Sequence, residues 1–145
     1  MDDFKQQLTM VLDAFIEEGG EPLFLVVDLE GAAELKESHG EESLQKFRQA
    51  VIDAVVAATR GADAFTYGED RVVAIVDGRE YDRLRTFALI QKLRKAIPLL
   101  GQSFDCYLRP EFDVVEYGRE QGVAALISQI GGLRTQRKEA ERQGA

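Results

Sequence analysis

Two carboxylates are the residues of this chain best placed to do chemistry. Asp28 ends a hydrophobic, strand-like run, Leu23-Phe24-Leu25-Val26-Val27. Asp70 lies in a tight acidic turn, Tyr67-Gly68-Glu69-Asp70-Arg71, inside the segment Ala64 to Val76. A buried strand ending in one carboxylate and a hairpin tip carrying another can hold a divalent cation between them. Mg²⁺ suits such a pair, because it prefers oxygen ligands and completes its shell with triphosphate oxygens. Gly68 would let a nucleotide approach the backbone closely. Arg71 opposes the arrangement, since it sets a fixed positive charge beside the cation. The same turn also reads as an ordinary hairpin, because Gly and Asp suit turns whatever their chemistry.

Other chemistries find little support. The single cysteine, Cys106, permits no internal disulfide and no cysteine metal cluster. It sits in an apolar run and is expected to be a small core residue. The single histidine, His39, precedes Gly40 in a polar turn and reads as a surface loop residue. Neither a Ser-His-Asp triad nor a Cys-His pair assembles around it. A net charge of −8, from 18 basic and 26 acidic residues, argues against DNA or RNA as a partner. No apolar run approaches the length of a membrane span. The N-terminal MDDFKQQ is acidic where a signal peptide would be basic, so a cytoplasmic protein is expected.

A chain of 145 residues that is 45% hydrophobic suits one domain with one core. Residues 3–18 carry Phe4, Leu8, Val11, Leu12 and Phe15 at helical spacing, stopped by Gly19-Gly20. Pro22 introduces the strand 23–28, whose continuous apolar run implies burial on both faces. A short helix is expected over 31–38 and a longer one over 41–59, with Leu44, Phe47, Val51, Ala54, Val55 and Ala58 inside. Gly61 fits its stop. A hairpin, 63–67 and 71–76, ends at the turn Asp77-Gly78. The next helix is expected over 80–97, burying Leu84, Phe87, Ala88, Ile90, Leu93 and Ile97, with Pro98 and Gly101 ending it. Strand-like segments follow at 103–108 and 111–117, with Arg109-Pro110 as a bend or edge break. A last helix begins near Glu120, carries Val123, Leu126, Ile127 and Ile130, and is interrupted at Gly131-Gly132. We take 1–132 as a single domain and 133–145 as a charged tail, either a helical extension or a frayed end. The order predicts an α/β (α+β) sandwich with a ferredoxin-like, or palm, core. Its sheet would be mainly antiparallel, with helices 41–59 and 80–97 on one face.

Over nearly its whole length the chain resembles the GGDEF (diguanylate cyclase) family. The family's first-strand motif, Asp-hydrophobic-Asp-x-Phe-Lys, looks like Asp28-Leu29-Glu30-Gly31-Ala32-Ala33, and its glycine twelve residues on matches Gly40. The Gly-Gly-Asp-Glu-Phe turn looks like Gly68-Glu69-Asp70-Arg71-Val72. Arg60-Gly61-Ala62-Asp63 resembles the family's Arg-x-x-Asp inhibitory site, which implies cyclic di-GMP binding at Arg60 and Asp63. Four residues separate that aspartate from the turn, where the family usually has five. A second Arg-x-x-Asp, Arg79-Glu80-Tyr81-Asp82, shows how common the pattern is in a charged chain.

The departures bear on activity. Glu69 replaces the second glycine and would occupy space a nucleotide needs. Arg71 replaces the acidic fourth position. The family's guanine-contacting Asn and Asp match Lys36 and Glu37. Leu8-Thr9 is similar to part of a family motif that is otherwise missing. Asp28-Leu29-Glu30-Gly31 also resembles the Asp-Ile-x-Gly motif of class III adenylyl and guanylyl cyclases, with Glu69 as an insertion; the metal pair would again be Asp28 and Asp70. Three readings are weighed, the first two from these resemblances and the third from the acidic surface and charged tail. The first, which we favour, is a degenerate, catalytically inactive GGDEF-like regulatory domain in bacterial signalling, with cyclic di-GMP as a candidate ligand. The second is a divergent active nucleotidyl cyclase taking GTP with Mg²⁺ on Asp28 and Asp70, its site shared by a homodimer. The third is a ligand-free module that binds a protein partner.

Overall fold

The computed structural model describes residues 2–104, 108–117 and 122–144, with side chains described for 4–104, 108–117 and 122–133. Nine elements follow one another: α1 (Asp2–Glu17), β1 (Pro22–Glu30), α2 (Ala32–His39), α3 (Glu41–Ala58), β2 (Asp63–Tyr67), β3 (Arg71–Asp77), α4 (Arg83–Gln102), β4 (Arg109–Glu116) and α5 (Gly122–Gly144). The strands form one sheet in the order β2-β3-β1-β4, and all three pairings are antiparallel. This is the expected α+β sandwich with a ferredoxin-like core. β1, the most apolar strand, lies inside the sheet, and six consecutive residues, Phe24 to Leu29, are buried on it.

Alternation along the strands divides the core into two layers. Leu25, Val27 and Leu29 of β1, with Val72 and Ala74 of β3, pack under α2, α3 and α4 through Leu35, Phe47, Val51, Leu93 and Ile97. Phe24 and Val26, with Val73 and Ile75, pack under α1 and α5 through Leu8, Leu12, Leu126 and Ile130. The expected helix faces of α1 and α3 are thus the buried ones. Glycine is required where α2 and α3 meet at Gly40, φ 89°, a left-handed conformation that side chains disfavour.

Several boundaries differ from expectation. β1 does not end at Asp28 but continues to Glu30, because β4 pairs with its last residues, Leu29 opposite Pro110 and Glu30 opposite Arg109. Arg109 and Pro110 therefore open β4 rather than break it; β4 is an edge strand, where a proline's missing N–H costs no ladder bond. Ser103 and Phe104 close the end of α4 instead of beginning a strand. The core role expected for Cys106 lies outside the described residues, as does the helix start expected at Glu120.

α4 begins at Arg83, where Asp82 caps it by accepting from the Arg85 N–H at 2.9 Å. It runs through Pro98 to Gln102, because Ile97 and Gly101 continue its buried face past the proline. Its buried line is Leu89, Leu93 and Ile97. That phase turns Leu84 and Phe87 outward, 81% and 63% exposed, and leaves Ala88 exposed too, against the expectation that all three are core. Gly131-Gly132 does not interrupt α5. A Cβ on Gly131 would stand 3.4 Å from the Tyr67 hydroxyl, so the missing side chain serves close packing of the helix on the sheet.

Candidate functional site

The β2–β3 turn and the end of β1 come together, as a palm topology implies. The Leu29 N–H donates to the Asp70 carbonyl at 2.7 Å, so the residue after Asp28 is bonded directly to the turn. Asp28 is 1% exposed. Gly68 holds φ 68°, which suits the turn's tight reversal.

Arg71 lies directly opposite Asp28 in the β1–β3 register. Both continue the row of Val26 and Val73, on the α1/α5 side of the sheet. The guanidinium stacks over the Tyr67 ring, 5.7 Å from its centroid, and Nη1 donates to the Ile130 carbonyl of α5 at 3.4 Å. The neighbour that the sheet gives Asp28 on β3 is thus a cation; Asp70 sits one position earlier, in the turn. On the other side of Asp28 the register brings Glu111 of β4. Among the described residues no group of three or more His, Cys, Asp or Glu side chains is arranged to hold a metal ion.

On the other side of the turn, side chains from α2 and α3 close over it. Lys36 of α2 donates to Glu69 Oε1 at 2.5 Å. This bond, then the attraction between the charges, holds Glu69 below and Lys36 above their ordinary ranges. Both side chains are well exposed, so the pair positions the turn more than it stabilises the fold. Arg48 of α3 reaches the same turn, with Nη1 donating to the carbonyls of Gly68 and Glu69, each at 3.4 Å. Its Nε is buried and has no hydrogen-bond partner among the described residues. Sequence reasoning missed Arg48; the signal was its position on α3 directly after the core residue Phe47. Glu37, the other residue aligned with guanine recognition, is exposed on α2.

Arg60 and Asp63 flank the connection from α3 to β2, and both are exposed. Arg60 has φ 59°, the one non-glycine residue with positive φ among those described. It is followed by Gly61 at φ 98°, whose N–H donates to the Val56 carbonyl at 2.9 Å. Asp63 opens β2, the edge strand on the far side of the sheet from β4. The rival Arg79 and Asp82 take other work. Arg79 binds Asp77 through Nη2 at 2.6 Å, and Asp82 caps α4. No described helix is long and apolar enough to cross a membrane.

The sequence matches no protein-family model, and no curated protein matches it. Solved structures do match. The GGDEF domain of DgcB from Caulobacter crescentus, in complex with c-di-GMP, superposes with a TM-score of 0.66 at 12% identity, over 94% of this chain and 83% of that one. The coiled coil and GGDEF domain of the same protein gives 0.67 at 13% identity, over 97% and 76%. A sensory box/GGDEF family protein from C. crescentus gives 0.56 at 15% identity, over 97% and 92%. At such identities the likeness is one of architecture, and this chain has the fold of a GGDEF domain.

Proposed function

We propose that this chain is a GGDEF-like regulatory domain that does not make cyclic di-GMP, and that it works by binding the dinucleotide or a protein. One observation carries the reading. The space between α2 and the β2–β3 turn, where the resemblance puts the guanine and phosphates of a substrate, is bridged by the Lys36–Glu69 ion pair, with Arg48 fixed on the turn's carbonyls. A nucleotide would have to break that bridge. Arg71 supports the same conclusion, since it is the register partner of Asp28 where a second carboxylate would be needed to share Mg²⁺.

Cyclic di-GMP is the candidate ligand, held by Arg60 and Asp63. Both are exposed and flank one tight connection, and neither makes an ion pair among the described residues. A guanidinium there would suit a guanine edge or a phosphate. Calorimetric titration with cyclic di-GMP, and separately with GTP and Mg²⁺, tests the reading. Expected are cyclic di-GMP binding that Arg60→Ala abolishes and no turnover of GTP. Production of cyclic di-GMP from GTP, lost in Asp28→Asn, would replace this reading with an active cyclase. No binding of either ligand would leave a domain that acts through protein contacts alone.

A further inference from the structure

The outer face of α4 is the most unusual surface of the molecule. Leu84, Phe87 and Leu99 are 81%, 63% and 61% exposed, and Val114 of the adjoining β4 is 43% exposed. They account for four of the five large apolar side chains that the described residues leave exposed. A cleft of about 940 Å³ runs between α4 and β4, with Phe87, Ile90 and Val114 on its walls and the carboxylates Glu21, Asp82 and Glu116 toward the start of β1. A second, of about 670 Å³, continues along α4 from Phe87 to Leu99. From Leu84 to Leu99 the face extends about 22 Å, the length of a four-turn helix. Its cleft lies at the Pro22 end of β1, the pole of the sheet away from Asp28 and the β2–β3 turn.

Charge identifies what covers it. α4 carries Arg83, Arg85, Lys92, Arg94 and Lys95 and no acidic residue, +5 on one helix. The whole chain carries −8, hence −13 on everything else. All five cations are exposed, and among the described residues none makes an ion pair. A second copy docking α4 on α4 would set five cations against five. A flat anionic membrane would meet the cations but leave the clefts beside them unfilled. An acidic amphipathic helix meets both demands, with apolar side chains at i, i+3, i+4 and i+7 against Phe87 and Leu99 and carboxylates facing Lys92 and Lys95 on the second cleft, away from Glu21, Asp82 and Glu116.

We propose that the α4/β4 face is a docking surface for an acidic amphipathic helix of a partner protein. The proposal does not depend on what the β2–β3 turn binds. The test places a photo-crosslinking amino acid at position 87, and separately at 99, in the full chain in the cells where it is native, and maps the adduct by mass spectrometry. Both positions are exposed, so folding is undisturbed. The expected adduct is a segment of another protein with helical apolar spacing and a surplus of Asp and Glu. A synthetic peptide of that segment should bind the purified chain, more weakly as salt rises. Lys92→Glu with Lys95→Glu should weaken binding on the order of tenfold, through two reversed rim charges. An adduct with this chain itself, with lipid, or with a segment lacking acidic surplus would overturn the proposal, as would no adduct at either position.

Discussion

Asp28 and Arg71 occupy opposed positions on neighbouring central strands, on the same side of the sheet. A carboxylate that is 1% exposed is therefore matched across the ladder by a permanent cation. Whatever else Asp28 bonds, the position facing it on β3 carries a fixed positive charge, which opposes a divalent cation there. Arg71 is held there by the Tyr67 ring and the Ile130 carbonyl, so it cannot swing aside without giving up both contacts.

The first prediction follows from that pairing. Arg71→Glu removes the ring contact and the bond to α5, and should lower stability by roughly 1–3 kcal/mol. It also sets a second carboxylate beside Asp28. Mg²⁺ or Mn²⁺ should then raise the thermal midpoint of the variant and leave the wild type unchanged. Scanning fluorimetry with and without the metal decides it. Equal responses of the two proteins would mean that Arg71 is not what keeps the cation out.

The Lys36–Glu69 bridge gives a second prediction. Glu69→Gly with Lys36→Asn opens the region between α2 and the turn, and costs little stability because both side chains are exposed. The double variant should bind GTP more tightly than the wild type does, measured by titration in Mg²⁺. If the wild type binds GTP as well as the variant does, the bridge is not an obstacle.

Much of this architecture was legible in the chain because local pattern and tertiary burial agree there. The run Leu23 to Val27 reads as a central strand and is one, and the hairpin around Gly68 falls where Gly and Asp place it. Misreadings came where packing overrode local preference. Pro98 and Gly131-Gly132 look like stops, yet Ile97, Gly101 and Ile130 are buried, and burial carries both helices through. The phase of α4 was ambiguous because apolar residues lie all round it; only the sheet beneath selects Leu89, Leu93 and Ile97. The site was legible as a meeting of Asp28 with the turn. That Arg71 rather than Asp70 faces Asp28 across the ladder depends on register, which one sequence does not reveal.

Gly131 provides a third prediction. A Cβ there would meet the Tyr67 hydroxyl at 3.4 Å, and Tyr67 is in turn packed edge-on against Phe4, with ring centroids 4.6 Å apart. Gly131→Leu should therefore push α5 off the sheet and cost about 1–3 kcal/mol by overpacking, despite the better helix propensity of leucine. Chemical denaturation measures the loss. Gly131→Leu with Tyr67→Ala should recover part of it, whereas independent effects would simply add.

Asp77 sets the response to acid. Its carboxylate accepts from the Arg79 side chain, the Arg79 N–H at 3.0 Å and the Glu21 N–H at 3.3 Å, tying the end of β3 to the loop before β1. These bonds, that from the Arg79 side chain first, hold it well below the usual carboxylate range. A depressed folded-state pKa contributes stability that is complete above the unfolded value of about 3.9 and is lost as pH falls toward the folded value. Stability should thus fall between about pH 4 and pH 2, and Asp77→Asn should flatten that part of the profile. At neutral pH the variant should be less stable by on the order of 1–2 kcal/mol. An unchanged acid limb would show that other carboxylates govern it.

Arg60 separates structure from ligand binding. At φ 59° it occupies the left-handed region, where a side chain costs about 1 kcal/mol relative to glycine. It is exposed and makes no ion pair among the described residues, so little offsets that cost. Arg60→Gly should therefore stabilise the free protein by about 0.5–1 kcal/mol. If Arg60 is retained to hold cyclic di-GMP, the same substitution should abolish binding of the dinucleotide. The combination is diagnostic, because a merely structural residue cannot raise stability and remove affinity when replaced. Denaturation of the two proteins gives the first quantity and titration the second. A destabilised variant would show that Arg60 supports the α3–β2 connection; a more stable variant that still binds cyclic di-GMP would place the ligand elsewhere.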